Sequence, residues 1–404
     1  MNILLSITNL HLGGAQMYAL RLAESLSKEL GTKVYVYDHN PEAVNKGLLD
    51  TYKDRVSINT FSYNPVVLFF IWKINAIILK FGFKFRFRDF INEFYFKRFI
   101  KINNINIINS HMYASDKIVS FCKLKTDLNF KFIITMHGEY ELNKNEKKEK
   151  INLEKEYRTI INSSDGIIYT ADKNYNAIKN YLLNDQLIEK HYIAIPDLLD
   201  YKLTKRDVLF QELGISQDTF ILGMVSRGIP EKGWELLLQS YELLKKEIDR
   251  EICLILIGDG EYLSKLVKEY SHLEGIHLLQ FESNPLDYLY YVQIFDLAFL
   301  LSYFQGESVP NVIIEYLYFN KPIIASDIGE IPKMICDEAN NQAGDIIKNS
   351  TDGKVNIKEV ANVVNKYMND LNYYNYKKRI TGEAFKKFKI KECTDKYISF
   401  YKKA

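Results

Sequence analysis

Short apolar runs alternate with amphipathic stretches along almost the whole chain. In the first half, the apolar runs predict β-strands at residues 2–7, 33–38, 105–110, 130–135, 165–170 and 191–196. In the second half, they predict strands at residues 220–226, 252–258, 275–281, 296–302 and 322–326. Between them, apolar residues recur at helical spacing, as in residues 15–30, 174–184 and 234–248.

Continuous apolar strands separated by helices are typical of a parallel sheet covered on both faces. Two such series predict an α/β chain with two doubly wound, Rossmann-like domains that face a central cleft. We place the domains at 1–200 and 218–388, a polar linker at 201–217, and a C-terminal helix that crosses back to the first domain at 389–404. Ligands of open α/β sheets bind at the carboxyl ends of the strands, so the cleft is the expected site.

Composition and charge narrow the class of protein. The 404 residues are 47% hydrophobic and 26% charged, with a net charge of +2, which is typical of a soluble globular protein without a general attraction to nucleic acid. The four cysteines form no C-x-x-C pair, which favours reduced thiols in a cytoplasm. The start of the chain predicts a first strand and not a signal peptide.

Two features of the first half are candidates for ligand contact. Gly13 and Gly14 lie between the first strand and the following helix, where a ligand can approach the backbone N–H groups at a helix N-terminus. They are equally consistent with a plain strand-to-helix turn. His137 follows a predicted strand and precedes Gly138, and His111 follows the strand before it. We favour a functional role for His137 and a structural one for His111.

In the second half, the stretch "SRGIPEKG" follows a strand directly. Arg227 and Lys232 bracket a loop with Gly and Pro that ends where a helix begins. Two cations beside a helix N-terminus favour binding of an anion such as a diphosphate.

The stretch "GESVPNVIIEYLYFNKPIIASDIGE" contains two glutamates, Glu307 and Glu315, with seven residues between them. Pro310 and Asn311 predict the start of a helix, so Glu307 lies on the preceding loop and Glu315 about one turn inside the helix. A carboxylate near a helix N-terminus can be merely stabilising, by ~0.3–1 kcal/mol. That role does not explain the second carboxylate or the loop.

Taken together, "R-x4-KG", "IGDG" and "E-x7-E" followed by "KPIIASDIG" resemble the retaining glycosyltransferases with the GT-B fold, family 4-like, also called glycosyl transferases group 1. The resemblance implies that Arg227 and Lys232 bind the diphosphate of a nucleotide sugar, and that Glu315 binds its ribose. It implies that Glu307 holds hydroxyls of the transferred sugar, with His137 near that sugar. The remaining residues implied at the donor are Gly13, Gly14, Ser308, Val309, Pro310, Asn311 and Phe281.

The same resemblance implies a metal-independent hexosyl- or glycosyltransferase of surface polysaccharide biosynthesis. The nucleotide sugar, of UDP or GDP type, is a substrate, and no cofactor is expected. The acceptor would be a glycan or a lipid-linked saccharide. No residue is an obvious nucleophile, so front-face attack, with the leaving phosphate as base, is the working hypothesis. Ser308 stands where the family usually has Gly, which leaves the donor sugar open.

Two alternatives remain open from the sequence. One is a nucleotide-sugar epimerase on the same fold, which needs no acceptor. The other is a non-catalytic glycan- or nucleotide-sugar-binding protein, against which the presence of Arg227, Lys232, Glu307 and Glu315 argues.

Residues 64–101 combine eight Lys and Arg with two acidic residues and many aromatic ones. This pattern predicts a segment in contact with an anionic membrane, and hence a cytoplasmic protein at the inner face of the cell membrane. A helix pair packed on the first sheet is the structural alternative. The rest of the chain does not support nucleic-acid binding.

Overall fold

A computed structural model describes residues 1–11, 13–40, 44–60, 65–81, 87–138, 147–196, 198, 206–280 and 287–404. The chain divides into two compact units. The first comprises Met1–His191 and Ile390–Ala404, and the second comprises Tyr192–Lys389. The sequence had placed the domain boundaries at 200, 217 and 388.

The first unit is built on a parallel sheet of seven strands. These are β1 (Asn2–Ile7), β2 (Lys33–Asp38), β3 (Ser57–Thr60), β4 (Ile107–Ser110), β5 (Lys131–Met136), β6 (Gly166–Tyr169) and β7 (Leu187–Lys190). Their order is β3-β2-β1-β4-β5-β6-β7. Ile3 pairs with Val34 on one side and Ile107 on the other. The sheet therefore reverses its direction of growth between β1 and β4.

Helices cover this sheet. They are α1 (Gly14–Ser27), α2 (Lys46–Tyr52), α3 (Pro65–Lys80), α4 (Phe87–Ile102), α5 (Tyr113–Lys125), α6 (Lys147–Ser163) and α7 (Asp172–Ile178). On one face, Phe96 of α4, Val119 of α5 and Ile161 of α6 pack with strand residues in one core. Since these side chains are almost completely removed from water, their burial stabilises the packing of the helices on the sheet.

The second unit repeats the plan with six parallel strands. These are β8 (Phe220–Val225), β9 (Ile252–Ile257), β10 (Ile276–Leu279), β11 (Leu297–Leu300), β12 (Ile323–Ser326) and β13 (Gly344–Ile347). Their order is β10-β9-β8-β11-β12-β13, so growth reverses between β8 and β11. The helices are α8 (Arg206–Leu213), α9 (Trp234–Glu247), α10 (Glu261–Glu269), α11 (Tyr288–Val292), α12 (Asn311–Tyr318), α13 (Ile331–Met334), α14 (Ile357–Asn369) and α15 (Leu371–Phe385).

The last helix, α16 (Ile390–Lys403), belongs to the first unit. Tyr401 Oη donates a hydrogen bond to Asn109 Oδ1 (2.8 Å), at β4. Cys393 Sγ lies 3.0 Å from Tyr18 Oη, on α1. All four cysteines are free thiols.

The predicted α/β class with two doubly wound sheets is confirmed, but some strands are not where the sequence placed them. β3 and β13 were missed. Residues 191–196 were predicted as a strand, whereas β7 lies at Leu187–Lys190. Ile193 and Ile195 are buried, yet this run forms only an isolated bridge, between Ile195 and Lys389. The predicted linker 201–217 contains α8.

No helix in the described ranges is both long and apolar enough to cross a lipid bilayer.

Candidate functional site

The loops after β8 and β11 meet at the reversal point of the second sheet. In a doubly wound sheet this point leaves a crevice at the carboxyl edge, where ligands bind. Arg227 and Lys232 lie on the loop after β8, and Glu307 lies on the loop after β11. The topology thus brings the two predicted cations and the first predicted glutamate to one place.

Lys232 and Glu307 form a buried ion pair. Lys232 Nζ lies 2.5 Å from Glu307 Oε2, and the two residues are 6% and 7% exposed. A charged pair removed from water persists only when its geometry is good, so each side chain holds the other in place. The sequence predicted both residues for a donor site but not this direct contact.

An aromatic ring lies against both cations. The centroid of the Phe304 ring is 5.7 Å from Arg227 Cζ and 5.1 Å from Lys232 Nζ, distances at which a cation is attracted to a ring face. Phe304 belongs to no sequence motif and was not predicted. Its position on a predicted ligand-binding loop, between a buried strand and Glu307, could have indicated a role in the site.

Buried contacts fix the backbone of the Arg227 loop. Trp234, which is completely buried, donates from Nε1 to the carbonyl oxygen of Arg227 (2.8 Å). The carbonyl oxygen of Glu231 accepts from the N–H of Tyr303 (2.8 Å), which ties this loop to the one after β11. The loop with the two cations and the loop with the carboxylate are therefore joined by a backbone hydrogen bond as well as by the ion pair.

Gly233 permits the close approach of these loops. Its φ is +83°, in the left-handed region, and a Cβ atom there would lie 2.1 Å from the carbonyl oxygen of Leu301. Only glycine fits both conditions. The glycine that follows Lys232 in the "KG" motif is therefore required for steric reasons.

The helix that carries the second glutamate starts as predicted. Pro310 is the N-cap residue and Asn311 the first residue of α12, with Ser308 buried and Val309 half-buried before them. Glu315 is 1% exposed, and Tyr288 Oη donates to its Oε2 (2.7 Å). Tyr288 was missed, because its stretch carries no motif.

In the first unit, the carboxyl edge holds the other predicted residues. Gly13 is the N-cap of α1 and Gly14 its first residue, directly after the loop that follows β1. His137 follows β5 and His111 follows β4, and His111 Nδ1 lies 2.9 Å from His137 Nε2. His111, which we had assigned a structural role, is therefore the hydrogen-bond partner of His137.

Burial keeps this histidine pair neutral. It lowers the pKa of His137 to about 4 and that of His111 well below its usual value, where the neighbouring His137 adds to the effect. At neutral pH, His137 can therefore donate or accept a hydrogen bond but brings no charge.

Phe281, the remaining predicted donor residue, lies outside the described residues. Among those that are described, no three His, Cys, Asp or Glu side chains form a group that could hold a metal ion.

Comparison with known proteins identifies this architecture. The family model described as glycosyl transferases group 1 matches residues 205–386. A crystal structure of a glycosyltransferase from Rickettsia africae superposes with a TM-score of 0.75 at 17% identity, covering 99% of this chain and 98% of that one. The Anabaena protein HepE, in complex with UDP, gives a TM-score of 0.70 at 15% identity, with complete coverage of both chains.

Two curated relatives match parts of the chain. An uncharacterized glycosyltransferase of Methanocaldococcus jannaschii is 26% identical over 172 residues, which are 39% of this chain and 41% of that protein. An N-acetylgalactosamine-N,N'-diacetylbacillosaminyl-diphospho-undecaprenol 4-alpha-N-acetylgalactosaminyltransferase of Campylobacter jejuni is 27% identical over 199 residues, 42% of this chain and 51% of that protein. The matches thus span about half or less of these relatives.

The fold is that of the GT-B glycosyltransferases. Residues 205–386 match the family model for glycosyl transferases group 1, and the family membership of the whole chain belongs to the proposal below.

Proposed function

We propose that the protein is a retaining, metal-independent glycosyltransferase that moves a hexosyl unit from a nucleotide-diphosphate sugar to a glycan or lipid-linked saccharide. The observation that carries the proposal is the buried Lys232–Glu307 pair beside Arg227 at the reversal point of the second sheet. This arrangement offers two cations for a diphosphate and, in contact with Lys232, a carboxylate for sugar hydroxyls.

The proposed reaction breaks the bond between the sugar C1 and the β-phosphate oxygen and forms a bond from C1 to the acceptor oxygen. Negative charge develops on the leaving phosphate, where Arg227 and Lys232 would stabilise it without a metal. The acceptor proton passes to the leaving phosphate oxygen on the same face of the sugar, which retains the configuration. Glu307 would hold hydroxyls of the moving sugar, with His137 as a neutral hydrogen-bonding group near it.

Glu315 would accept hydrogen bonds from the ribose hydroxyls, with Tyr288 holding the carboxylate in position (2.7 Å). Removal of one hydroxyl partner should then cost about 1 kcal/mol of donor binding. The test compares UDP with its 2′-deoxy and 3′-deoxy analogues. Wild type should discriminate against at least one analogue, and Glu315→Gln should discriminate less. Equal discrimination by both would remove Glu315 from this role.

We further propose that the acceptor is carried by a membrane lipid. The Campylobacter relative is named for a diphospho-undecaprenol substrate, and a 27% identical Salmonella typhimurium relative is a lipopolysaccharide 1,2-N-acetylglucosaminetransferase. A role in surface polysaccharide biosynthesis follows, in the cytoplasm at the inner face of the cell membrane, with residues 64–101 contacting anionic lipid.

The decisive test incubates the protein with a panel of UDP and GDP sugars, with and without saccharide acceptors, in EDTA. HepE was solved with UDP and with UDP-glucose, so UDP donors come first. We expect transfer only with acceptor, undiminished by EDTA, and a product with the donor's anomeric configuration by NMR. Turnover without acceptor would instead indicate an epimerase, and binding without turnover a non-catalytic protein.

A matched pair of variants tests the site itself. Lys232→Met should abolish transfer and weaken nucleotide-diphosphate binding. Lys321, a second lysine of the same unit, donates to the carbonyl oxygen of Gln293 (2.5 Å), and burial lowers its pKa to about 7. Lys321→Met should affect stability but spare binding per folded molecule. Equal loss of binding in both variants would refute the assignment of Lys232.

A further inference from the structure

Helices α3 and α4 form a hairpin whose apolar side chains are mostly in water. The large apolar side chains that are more than half exposed on it are Val66, Phe69, Phe70, Trp72, Ile77, Leu79, Phe81, Phe90, Phe94 and Ile102. Monomeric soluble proteins rarely expose so much contiguous apolar surface unless it binds something.

One side of α3 is used by the fold. Ile71 is buried, and Asn75, one turn further on, accepts at Oδ1 from the backbone N–H of Arg88 (3.4 Å) in α4. The other sides of the helix carry Phe70, Trp72 and Ile77, which are 59%, 62% and 55% exposed. α3 is therefore apolar on more than the one face that α4 covers.

The hairpin is also strongly basic. α3 and α4 together carry six Lys and Arg against Asp89 and Glu93, an excess larger than the net +2 of the whole chain. Lys73 Nζ lies 5.4 Å from the ring centroid of Phe69 and 5.7 Å from that of Trp72. A lysine at the boundary between an apolar layer and anionic groups keeps its aliphatic stem on the apolar side and its amine among the anionic groups.

We infer that α3 lies in the plane of an anionic lipid surface, with its aromatic and aliphatic side chains among the upper acyl chains and the Lys and Arg side chains at the headgroups. Its 16 residues span only about 24 Å, less than the ~30 Å of a hydrocarbon core, so the helix lies on the bilayer and does not cross it. The biological purpose of this membrane contact rests on the proposed function. The inference adds to that function the helix that inserts into the membrane.

A second copy of the chain is a poorer occupant than a lipid surface. Across a two-fold interface, each basic hairpin would face the same basic hairpin, and like charges brought together oppose association. The charge of the exposed surface therefore favours the bilayer.

The two tryptophans allow a direct test with the full chain. Trp72 is 62% exposed, while Trp234, in the second unit, is completely buried. Vesicles of phosphatidylglycerol and phosphatidylcholine should therefore shift only the Trp72 emission to the blue, and brominated acyl chains should quench it. Trp72→Phe should remove most of both signals while the protein still sediments with the vesicles. Pure phosphatidylcholine should give much weaker binding, and added salt should weaken binding to the anionic vesicles.

Variants identify the inserted face. Replacing Phe69, Phe70 and Ile77 together by serine should weaken sedimentation with anionic vesicles by at least about tenfold. The matched control is Leu371→Ser, since Leu371 is 69% exposed but lies in the second unit. The inference is overturned if anionic vesicles leave the emission unchanged, or if the triple variant sediments like wild type. Self-association that the triple variant abolishes, without vesicle binding, would make the hairpin an interface between copies.

These measurements use neither donor nor acceptor. Transfer to a water-soluble saccharide acceptor should be the same in the triple variant and in wild type. Vesicle binding without any transfer activity would leave the inference standing and refute the proposed function. Transfer without vesicle binding would overturn the inference and the proposed lipid contact of residues 64–101, and would leave the proposed glycosyl transfer standing.

Discussion

Lys232 and Glu307 lie 75 residues apart in the chain, yet their charged atoms are 2.5 Å apart and almost completely withdrawn from water. Lys232 lies on the loop after β8 and Glu307 on the loop after β11. The strand order of the sheet reverses its direction of growth between these two strands. This one contact shows how the site is built. The strand order brings the two loops together, and the buried ion pair holds them in contact. An incoming diphosphate would find a lysine already oriented by its carboxylate.

The first prediction concerns this pair. Lys232→Met or Glu307→Leu alone should lower the free energy of unfolding by about 3–5 kcal/mol, because each leaves a buried charge without its partner. The double variant Lys232→Met/Glu307→Leu should lose much less than the sum of the two single changes. Urea unfolding followed by far-UV circular dichroism measures all of them.

The control for this cycle is the exposed pair of Lys246 and Glu242, 2.8 Å apart on α9. Lys246→Ala should leave the midpoint nearly unchanged, since exposed pairs contribute little. Additive losses in the Lys232–Glu307 cycle would show that the two charges do not depend on each other.

The second prediction concerns Arg227. Arg227→Ala should weaken binding of UDP or GDP by about 10- to 100-fold, because a charge-assisted bond to phosphate contributes about 1.5–3 kcal/mol. Binding of the corresponding monophosphate should change less if the β-phosphate is the main partner. Isothermal titration calorimetry gives both constants.

Arg250 provides the matched control. Its guanidinium also lies over a phenylalanine, 5.1 Å from the Phe220 ring, but at the opposite end of the strands. Arg250→Ala should leave nucleotide binding intact. An Arg227→Ala variant that binds diphosphates as well as Arg250→Ala does would remove Arg227 from the donor site.

The sequence predicted the central strands and the edge strand β10 well but missed or misplaced the other three edge strands, for a physical reason. β1, β8 and β9 are buried on both faces and consist of continuous apolar runs. The missed β3 and β13, and the misplaced β7, are edge strands, short and mixed in polarity, because an edge is only partly covered. Residues 191–196 show the converse, since burial without a pairing strand produces the same apolar pattern.

For the site, the sequence could predict residue types at the ends of strands but not which atoms touch. Arg227, Lys232 and Glu307 belong to recognisable motifs, and the strand order explains why they meet. Phe304 and Tyr288 belong to none, and their contacts depend on loop conformations that local sequence does not determine. Such contacts become visible only when the backbone is known.

The third prediction separates steric clash from backbone strain at Gly233. Gly233 and Gly353 have nearly the same φ, +83° and +81°, but a Cβ at Gly353 would meet no atom within 4 Å. Gly353→Ala should therefore cost about 1–2 kcal/mol, the price of left-handed backbone alone. Gly233→Ala should cost more, because its Cβ must displace the Leu301 backbone, and it should also weaken donor binding by moving Lys232. Equal unfolding midpoints for the two variants would contradict this explanation.

The fourth prediction concerns acid. Burial lowers the pKa of His39 to about 3 and that of His137 to about 4, against an ordinary value near 6.5, and both lie in the first unit. At pH values between the lowered pKa and about 6.5, the unfolded chain binds protons at these histidines that the folded chain does not. Their contribution to the free energy of unfolding is therefore fully present above about pH 6.5 and is lost as the pH falls toward 4. Burial raises the pKa of Asp38 to about 6, which acts in the opposite sense, so the histidine contribution must be isolated by substitution.

His137→Gln should therefore reduce, by about 1–2 kcal/mol, the stability that is lost between about pH 7 and about pH 5. Hydrogen exchange read by mass spectrometry should show a larger wild-type loss in peptides of Met1–His191 than in those of Tyr192–Lys389, where burial lowers the pKa of His277. His272→Gln, at an exposed histidine of the second unit, is the control and should leave the acid dependence unchanged. A His137→Gln protein with the full wild-type loss would mean that this histidine is already protonated in the folded chain, and its proposed role as a neutral group beside the sugar would fall with it.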